Sequence, residues 1–315
     1  MILARTPLRL TLGGGGSDLP VFSTQRTGFT LTVTIDKYVH VAATDYFPGG
    51  VNLKYAEVEH VTHVGEIRHR LWRAILSRVW AGSVELTSMA DIPSGTGLGS
   101  SAAFTVSALA ALHEWRGDPP TSATRLAAEA ALIEMVDLGD PIGTQDQYAC
   151  AVGGLLACHH HPSGIVVPYP IPVTLDTWEA LDQNLHLFWT GMSHDTRQVL
   201  AIPPPVDALQ AAYELGTDTF LALTSGDLHG FAESLTAQWA NKLSYAPTDR
   251  HVEIGRWIYE VLERGAQGAK LVGAGDGGFI LVYAEEPRNT LEKWAAEYGL
   301  REVPFRLVDR GTELV

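Results

Sequence analysis

The residues with the most evident chemical capacity lie in a few short stretches. The first is DIPSGTGLGSSAAF, residues 91–104, in which three glycines lead into two adjacent serines and an apolar run. Glycines let backbone N–H groups approach a ligand closely, and a helix N-terminus favours an anion, so the stretch suits a phosphate. It matches neither common phosphate motif. A P-loop carries a lysine just before its Ser/Thr, whereas here Gly99 precedes Ser100 and Ser101. Gly97, Gly99 and Ala102 have dinucleotide-fold spacing, but that fold needs a second strand ending in an acid about 20 residues on. The segment that follows, ATRLAAEAALIEMV, has helical spacing instead. A plain glycine turn before a core helix is the competing reading.

Two further glycine loops, GGGGSD at 13–18 and GAGDGG at 273–278, adjoin strand-like segments. Three such loops suggest a cleft in which backbone approaches a ligand from several sides, between two domains. Ionisable residues stand in unusual settings nearby. Asp146 lies between two glutamines in GTQDQYA, placed either as a base or as a helix cap. Glu134 interrupts the apolar ALIEMV, either on an exposed face or turned inward as a ligand for Mg²⁺, which takes few protein oxygens. Arg9 interrupts the strand-like TPLRLTL, where a cation needs a partner.

These residues need a scaffold, and the chain has room for one. Its 315 residues suffice for two domains, and 46% hydrophobic with 18% charged residues is ordinary for a globular protein. A formal net charge of −14 and a pI near 5.2 disfavour nucleic acid or an anionic membrane as partner. No apolar run approaches a membrane span. Two cysteines, Cys150 and Cys158, make no disulfide framework, so a reducing cytoplasm is expected. Strands are expected around the first loop, over FTLTVTIDKYVHVAATDY and over SVELTSMADIP. GLLACHHHPSGIVVPYPI reads as a hairpin. Its adjacent histidines alternate across a strand and cannot all reach one ion. From PVTLDTWEALDQN onward the pattern is an α+β unit with an antiparallel sheet, closing on REVPFRLVD as its last strand.

With these motifs in this order, nearly the whole chain resembles the GHMP kinase superfamily, and PSGTGLGSSAA is its most specific motif. TPLRLTLGGGGSD, TQDQYACAVGG and KLVGAGDGGFILVY look most like the D-glycero-D-manno-heptose 7-phosphate kinases. The resemblance implies a two-domain α+β fold, with a ribosomal-S5-like domain over 1–177 and a ferredoxin-like domain over 178–315. It implies ATP with Mg²⁺ and phosphorylation of the anomeric O1 of a sugar phosphate. A free hexose, an octose phosphate and a non-catalytic relative are the alternatives. A homodimer is left open.

Site residues carry over by position. Pro93, Ser94, Gly95, Thr96, Gly97, Leu98, Gly99, Ser100, Ser101 and Ala102 match the ATP phosphate loop. Ser101 and Glu134 match the Mg²⁺ ligands, with Ser100 as the other candidate serine. Asp146 matches the catalytic base and Arg9 the cation beside it. Gly14, Gly15, Gly16, Ser17 and Asp18 match the sugar-side motif, with Asp18 the expected hydroxyl acceptor. Gly275 and Asp276 belong to the third motif, where Asp276 replaces a usual glycine. Asp276 is expected to tolerate a left-handed turn and to touch a sugar hydroxyl. Arg197 and Lys242, then His194, are the cations expected to meet the substrate's own phosphate.

Overall fold

The computed structural model describes residues 1–315 apart from 80–81, 194–195, 246–247, 274 and 286–287. His194, one of the expected phosphate contacts, lies outside the described residues. Two sheets organise the chain. The first draws on β1 (Ile2–Gly13), β2 (Gly28–Asp45), β3 (Val51–Lys54), β4 (Val58–Val61), β5 (Val84–Ala90), β6 (Leu155–His160) and β7 (Val166–Pro170). Its spine is β2, whose β-branched and aromatic residues sustain 18 residues of strand. That length lets β2 pair with β1 along one side, and with β6 and then β5 in succession along the other. The hairpin expected over 154–171 is present as β6 and β7.

The second sheet is antiparallel, ordered β11-β8-β10-β9, from β8 (Leu185–Trp189), β9 (Gly268–Leu271), β10 (Phe279–Tyr283) and β11 (Arg301–Glu302). The long helices Val206–Ser225 and Leu228–Tyr245 break at Gly226, whose left-handed backbone ends the first of them. Sheet membership changes across the helix Leu175–Asn184, but the chain does not stay with the second sheet. β12 (Leu307–Val308) pairs with β2, and β13 (Glu313–Leu314) with β1. REVPFRLVD is therefore not one strand: its start closes the second sheet and its end joins the first. The unit expected over 178–315 gives up its tail for the same reason.

Leu8, Leu10 and Leu12 share one buried cluster with Leu187, Phe231 and Leu281. Apolar packing thus runs continuously between the two halves. Period-2 alternation then sends Arg9 and Thr11 to the opposite face of β1. A second cluster holds the helix Ser100–Arg116 against β2 and β5 through Leu109, Val41 and Leu86. Among the described residues, no helix is long and apolar enough to cross a membrane.

Candidate active site

The face of β1 that carries Arg9 opens into a cavity of about 860 Å³ between the two halves. Arg9 anchors it. Nε donates to Asp146 Oδ1 at 2.7 Å and Nη2 to Oδ2 at 2.6 Å, a fork on both carboxylate oxygens. Nη1 donates to Gly97 O at 2.6 Å, so one guanidinium ties the acid to the central glycine loop. The Arg9 side chain is 5% exposed and that of Asp146 28%, so the carboxylate is the member open to the cavity. Asp146 occupies the first turn of the helix Gln145–Val152, preceded by Thr144 at the cap position, so it does not itself cap the helix.

The glycine loop ends at Gly99, whose left-handed backbone starts the helix Ser100–Arg116. Ser94, Gly95, Gly97, Gly99, Ser100, Ser101 and Ala102 line the cavity. This presents a helix N-terminus and loop backbone to any anion there. Pro93, Thr96 and Leu98 do not line it. Leu98 is buried in the core, and Thr96 donates to Pro93 O. The third loop packs directly on the second. A Cβ at Gly273 would stand 2.4 Å from Gly97 Cα, so a side chain at either position would part the two loops.

Glu134 is turned inward. It lies in a π-helical turn, Ile133–Asp137, closed by Leu138 N–H on Ile133 O. Such turns are frequent at functional sites. Ser101 Oγ donates to Glu134 Oε2 at 2.6 Å and Gln147 Nε2 to Oε1 at 3.0 Å. Burial raises the carboxyl to about 7, against the pull of these two hydrogen bonds. Ser101, not Ser100, is therefore the serine in contact with the acid. Ser100 Oγ is buried without a partner.

Asp18 completes the acidic set. It accepts from Gln145 N–H at 3.0 Å and from Gly16 N–H at 3.3 Å. Burial raises it to about 6, partly offset by the Gln145 N–H, with Asp146 adding repulsion. Gly14, Gly15 and Gly16 line the cavity with it. Ser17 does not: it is fully buried, and its Oγ donates to Gly14 O or Phe29 O. The expectation for Ser17 is corrected to a structural role in shaping the first loop.

Two further expectations are corrected. Asp276 and Gly275 do not line the cavity, although Gly273 does. Asp276 accepts from Thr248 Oγ1 at 3.2 Å and from Arg250 Nη1 at 3.3 Å, which draw it toward the helix Asp249–Glu263. Its backbone is not left-handed either; among the described residues every positive φ belongs to glycine. Arg197 and Lys242 both line the cavity. Lys242 is half-buried and donates to Gly273 O at 2.7 Å, and burial lowers it to about 8.

Some lining residues carried no recognised signal. Lys270 sits within the quoted KLVGAG but reads as an ordinary strand position. Arg70 forms a fork on Asp140, with Nη1 to Oδ2 at 2.9 Å, and Tyr55, His69 and Phe104 make an aromatic end of the cavity. The two glutamines beside Asp146 did carry a signal: Gln145 holds Asp18 and Gln147 holds Glu134. Of the adjacent histidines, His160 is buried between Thr30 and Thr144, while His159 faces Tyr169 from the other side of the strand.

Three glycine loops, a forked Arg–Asp pair and a buried Ser–Glu pair around one cavity form a family-level pattern, and residues 62–154 match the family described as GHMP kinases N terminal domain. The chain is a kinase carrying a GHMP kinase N-terminal domain. It is 27% identical to a D-glycero-alpha-D-manno-heptose 7-phosphate kinase of Campylobacter jejuni, over 95% of this chain and 94% of the relative. It is 24% identical to a galactokinase of Pyrococcus furiosus, over 91% and 90% of the two chains. Among solved structures, a D-glycero-D-manno-heptose 1-phosphate kinase from Bacteroides thetaiotaomicron superposes with a TM-score of 0.82 at 25% identity. That match covers 100% of this kinase and 99% of the other chain.

Proposed function

We propose that this kinase transfers the terminal phosphoryl group of ATP to the anomeric O1 hydroxyl of a sugar phosphate, with a heptose 7-phosphate as the leading substrate. The observation that carries the reading is the Arg9–Asp146 fork, which stands at the mouth of the glycine loop and shares the cavity with it. Whole-length similarity to a heptose 7-phosphate kinase supports the sugar class. The two heptose kinases among the relatives are named for phosphates at different carbons, so substrate position is a matter for assay.

Phosphoryl transfer asks chiefly for positioning and charge neutralisation. In this reading the Ser94–Ala102 backbone and the N-terminus of the helix Ser100–Arg116 hold the triphosphate. The aromatic end at Tyr55, His69 and Phe104 takes the base. Asp146 accepts the proton of the attacking hydroxyl, and Arg9 fixes its orientation. Asp18, held by Gln145, accepts from a sugar hydroxyl. Arg197 and Lys242 meet the substrate's phosphate.

Ser101 and Glu134 suit Mg²⁺. Both offer hard oxygens, and the buried carboxylate has no cationic partner among the described residues. Two protein oxygens leave the remaining positions to water and phosphate, as this ion prefers. When bound, the ion would neutralise charge on the phosphates. Two buried thiols suit a reducing compartment, and we place the enzyme in the cytoplasm.

The test is a turnover panel with ATP and Mg²⁺. It compares D-glycero-D-manno-heptose 7-phosphate, the free heptose, an octose phosphate and free galactose, with product position read by ³¹P NMR. The expected product is a heptose 1,7-bisphosphate. Preferential use of a free hexose would replace this reading with the alternative.

A further inference from the structure

Lys270 stands in β9 between Ala269 and Leu271, both packed in the core of the second half. Strand alternation turns its side chain to the other face, where it crosses to the first half of the molecule. Nζ donates to Leu12 O at 3.3 Å and to Gln238 Oε1 at 2.7 Å. Gln238 is braced in turn: its Nε2 donates to the same Leu12 carbonyl at 2.8 Å and to Thr219 Oγ1 at 3.2 Å. Leu12 immediately precedes the first glycine loop. The ammonium is therefore held in a fixed place on the cavity wall.

Among the described residues no acid contacts it. Lys270 is 6% exposed, and both of its hydrogen-bond acceptors are neutral oxygens. Burial lowers it to about 7, with added repulsion from Lys242 and Arg9. Arg9 is already engaged by Asp146, and Lys242 rests on the neutral Gly273 carbonyl. Buried lysines are ordinarily paired, because an unpaired buried charge is expensive. Here the missing partner is an anion that the cavity itself can admit.

We propose that Lys270, with Lys242, forms a phosphate-group subsite in the cavity, additional to the glycine loop and its helix. This rests on the reading that the cavity takes two phosphorylated substrates. A phosphate there comes either from the acceptor or from the terminal position of the nucleotide. Because Lys270 is pinned to the carbonyl that leads into the first glycine loop, the acceptor's phosphate is the expected source.

Titration calorimetry on the full chain separates the sources. Wild type, Lys270→Met and Lys270→Gln are each titrated with ADP, a non-hydrolysable ATP analogue, heptose 7-phosphate and the free heptose. ADP affinity reports that each variant retains the nucleotide site, and the glutamine variant stands in if the methionine variant does not fold. The expected result is a roughly tenfold to hundredfold weaker Kd for heptose 7-phosphate, the range of one charged hydrogen bond, with the free heptose and both nucleotides unchanged. Weakening of the ATP analogue but not of ADP supports the same subsite with the nucleotide as its source. If wild type does not bind heptose 7-phosphate while that nucleotide contrast holds, the sugar assignment fails and the subsite stands. Unchanged affinity for both phosphorylated ligands in the variants overturns the subsite.

Discussion

Arg9 and Asp146 are 137 positions apart in the chain, and the guanidinium of one grips both carboxylate oxygens of the other. The same guanidinium reaches Gly97 O, so the orientation of the acid and the position of the central glycine loop are set by one side chain. Asp146→Asn keeps the shape but not the basicity. It should lower kcat by roughly 10²- to 10⁴-fold while ATP affinity stays near the wild-type value. Steady-state kinetics beside nucleotide titration checks this, and near-normal turnover would remove Asp146 from the proton transfer.

Glu134 has Ser101 and Gln147 as hydrogen-bond partners and no cationic partner among the described residues. Glu134→Gln exchanges a carboxylate for a weaker neutral oxygen, so the Mg²⁺ concentration for half-maximal activity should rise severalfold or more. A titration of activity against Mg²⁺ decides it. An unchanged curve assigns Glu134 to structure alone.

Arg197→Ala and Lys242→Ala should raise KM for the sugar phosphate by roughly tenfold to a hundredfold, with KM for ATP nearly constant. Lys242 is the sharper case, because its contact with Gly273 places it at the third loop, which packs on the central glycine loop. A rise in KM for ATP instead would reassign Lys242 to the nucleotide.

Gly143 lies against the carboxylate of Asp18, where an added Cβ would fall 1.9 Å from Oδ2. Gly143→Ala must displace Asp18 or the backbone around residue 143. We expect a stability loss of about 1 to 3 kcal/mol in urea unfolding and a raised KM for the sugar, with ADP binding retained. Unaltered sugar KM would separate Asp18 from substrate binding.

Asp18 also gives the protein a pH signature. Its native carboxyl titrates near 6, above its unfolded value, so the folded chain holds the extra proton between about 4 and 6. Its contribution to stability is fully present below about 4 and is lost as pH rises through 6. Relative to Asp18→Asn, wild type should lose about 2 to 3 kcal/mol between pH 4 and pH 7. Paired urea titrations at the two pH values measure this, and a difference independent of pH would contradict it.

Local pattern made much of this site legible. The three glycine loops, Asp146 between its glutamines, Arg9 in an apolar strand and Glu134 in an apolar helix each broke a local rule, and all of these stretches contribute to one cavity. What could not be read depended on long-range placement. Asp276 sits in a glycine loop, yet Arg250 and Thr248, more than 25 positions earlier, draw it away. Ser17 looks like a ligand residue but is used up by the backbone of its own loop and of β2. Lys270 obeys strand alternation perfectly well; only the approach of Leu12 and Gln238 makes it unusual. The inward turn of Glu134 needed a π-turn that a 3.6-residue period does not foretell.

The pairing of β13 with β1 has a consequence for how the molecule is made. Ala4 lies opposite Leu314, and Arg5 meets Glu313 through Nε at 2.7 Å. During synthesis the first strand emerges hundreds of residues before this neighbour. Until then the border of β1 over Leu3, Ala4 and Arg5 keeps its backbone N–H and C=O groups open to other chains. Contacts of such long sequence separation also form late and slow the final folding step. Nascent chains stalled before residue 307 should therefore be the species most dependent on chaperones, even though every group of the candidate active site has already been synthesised.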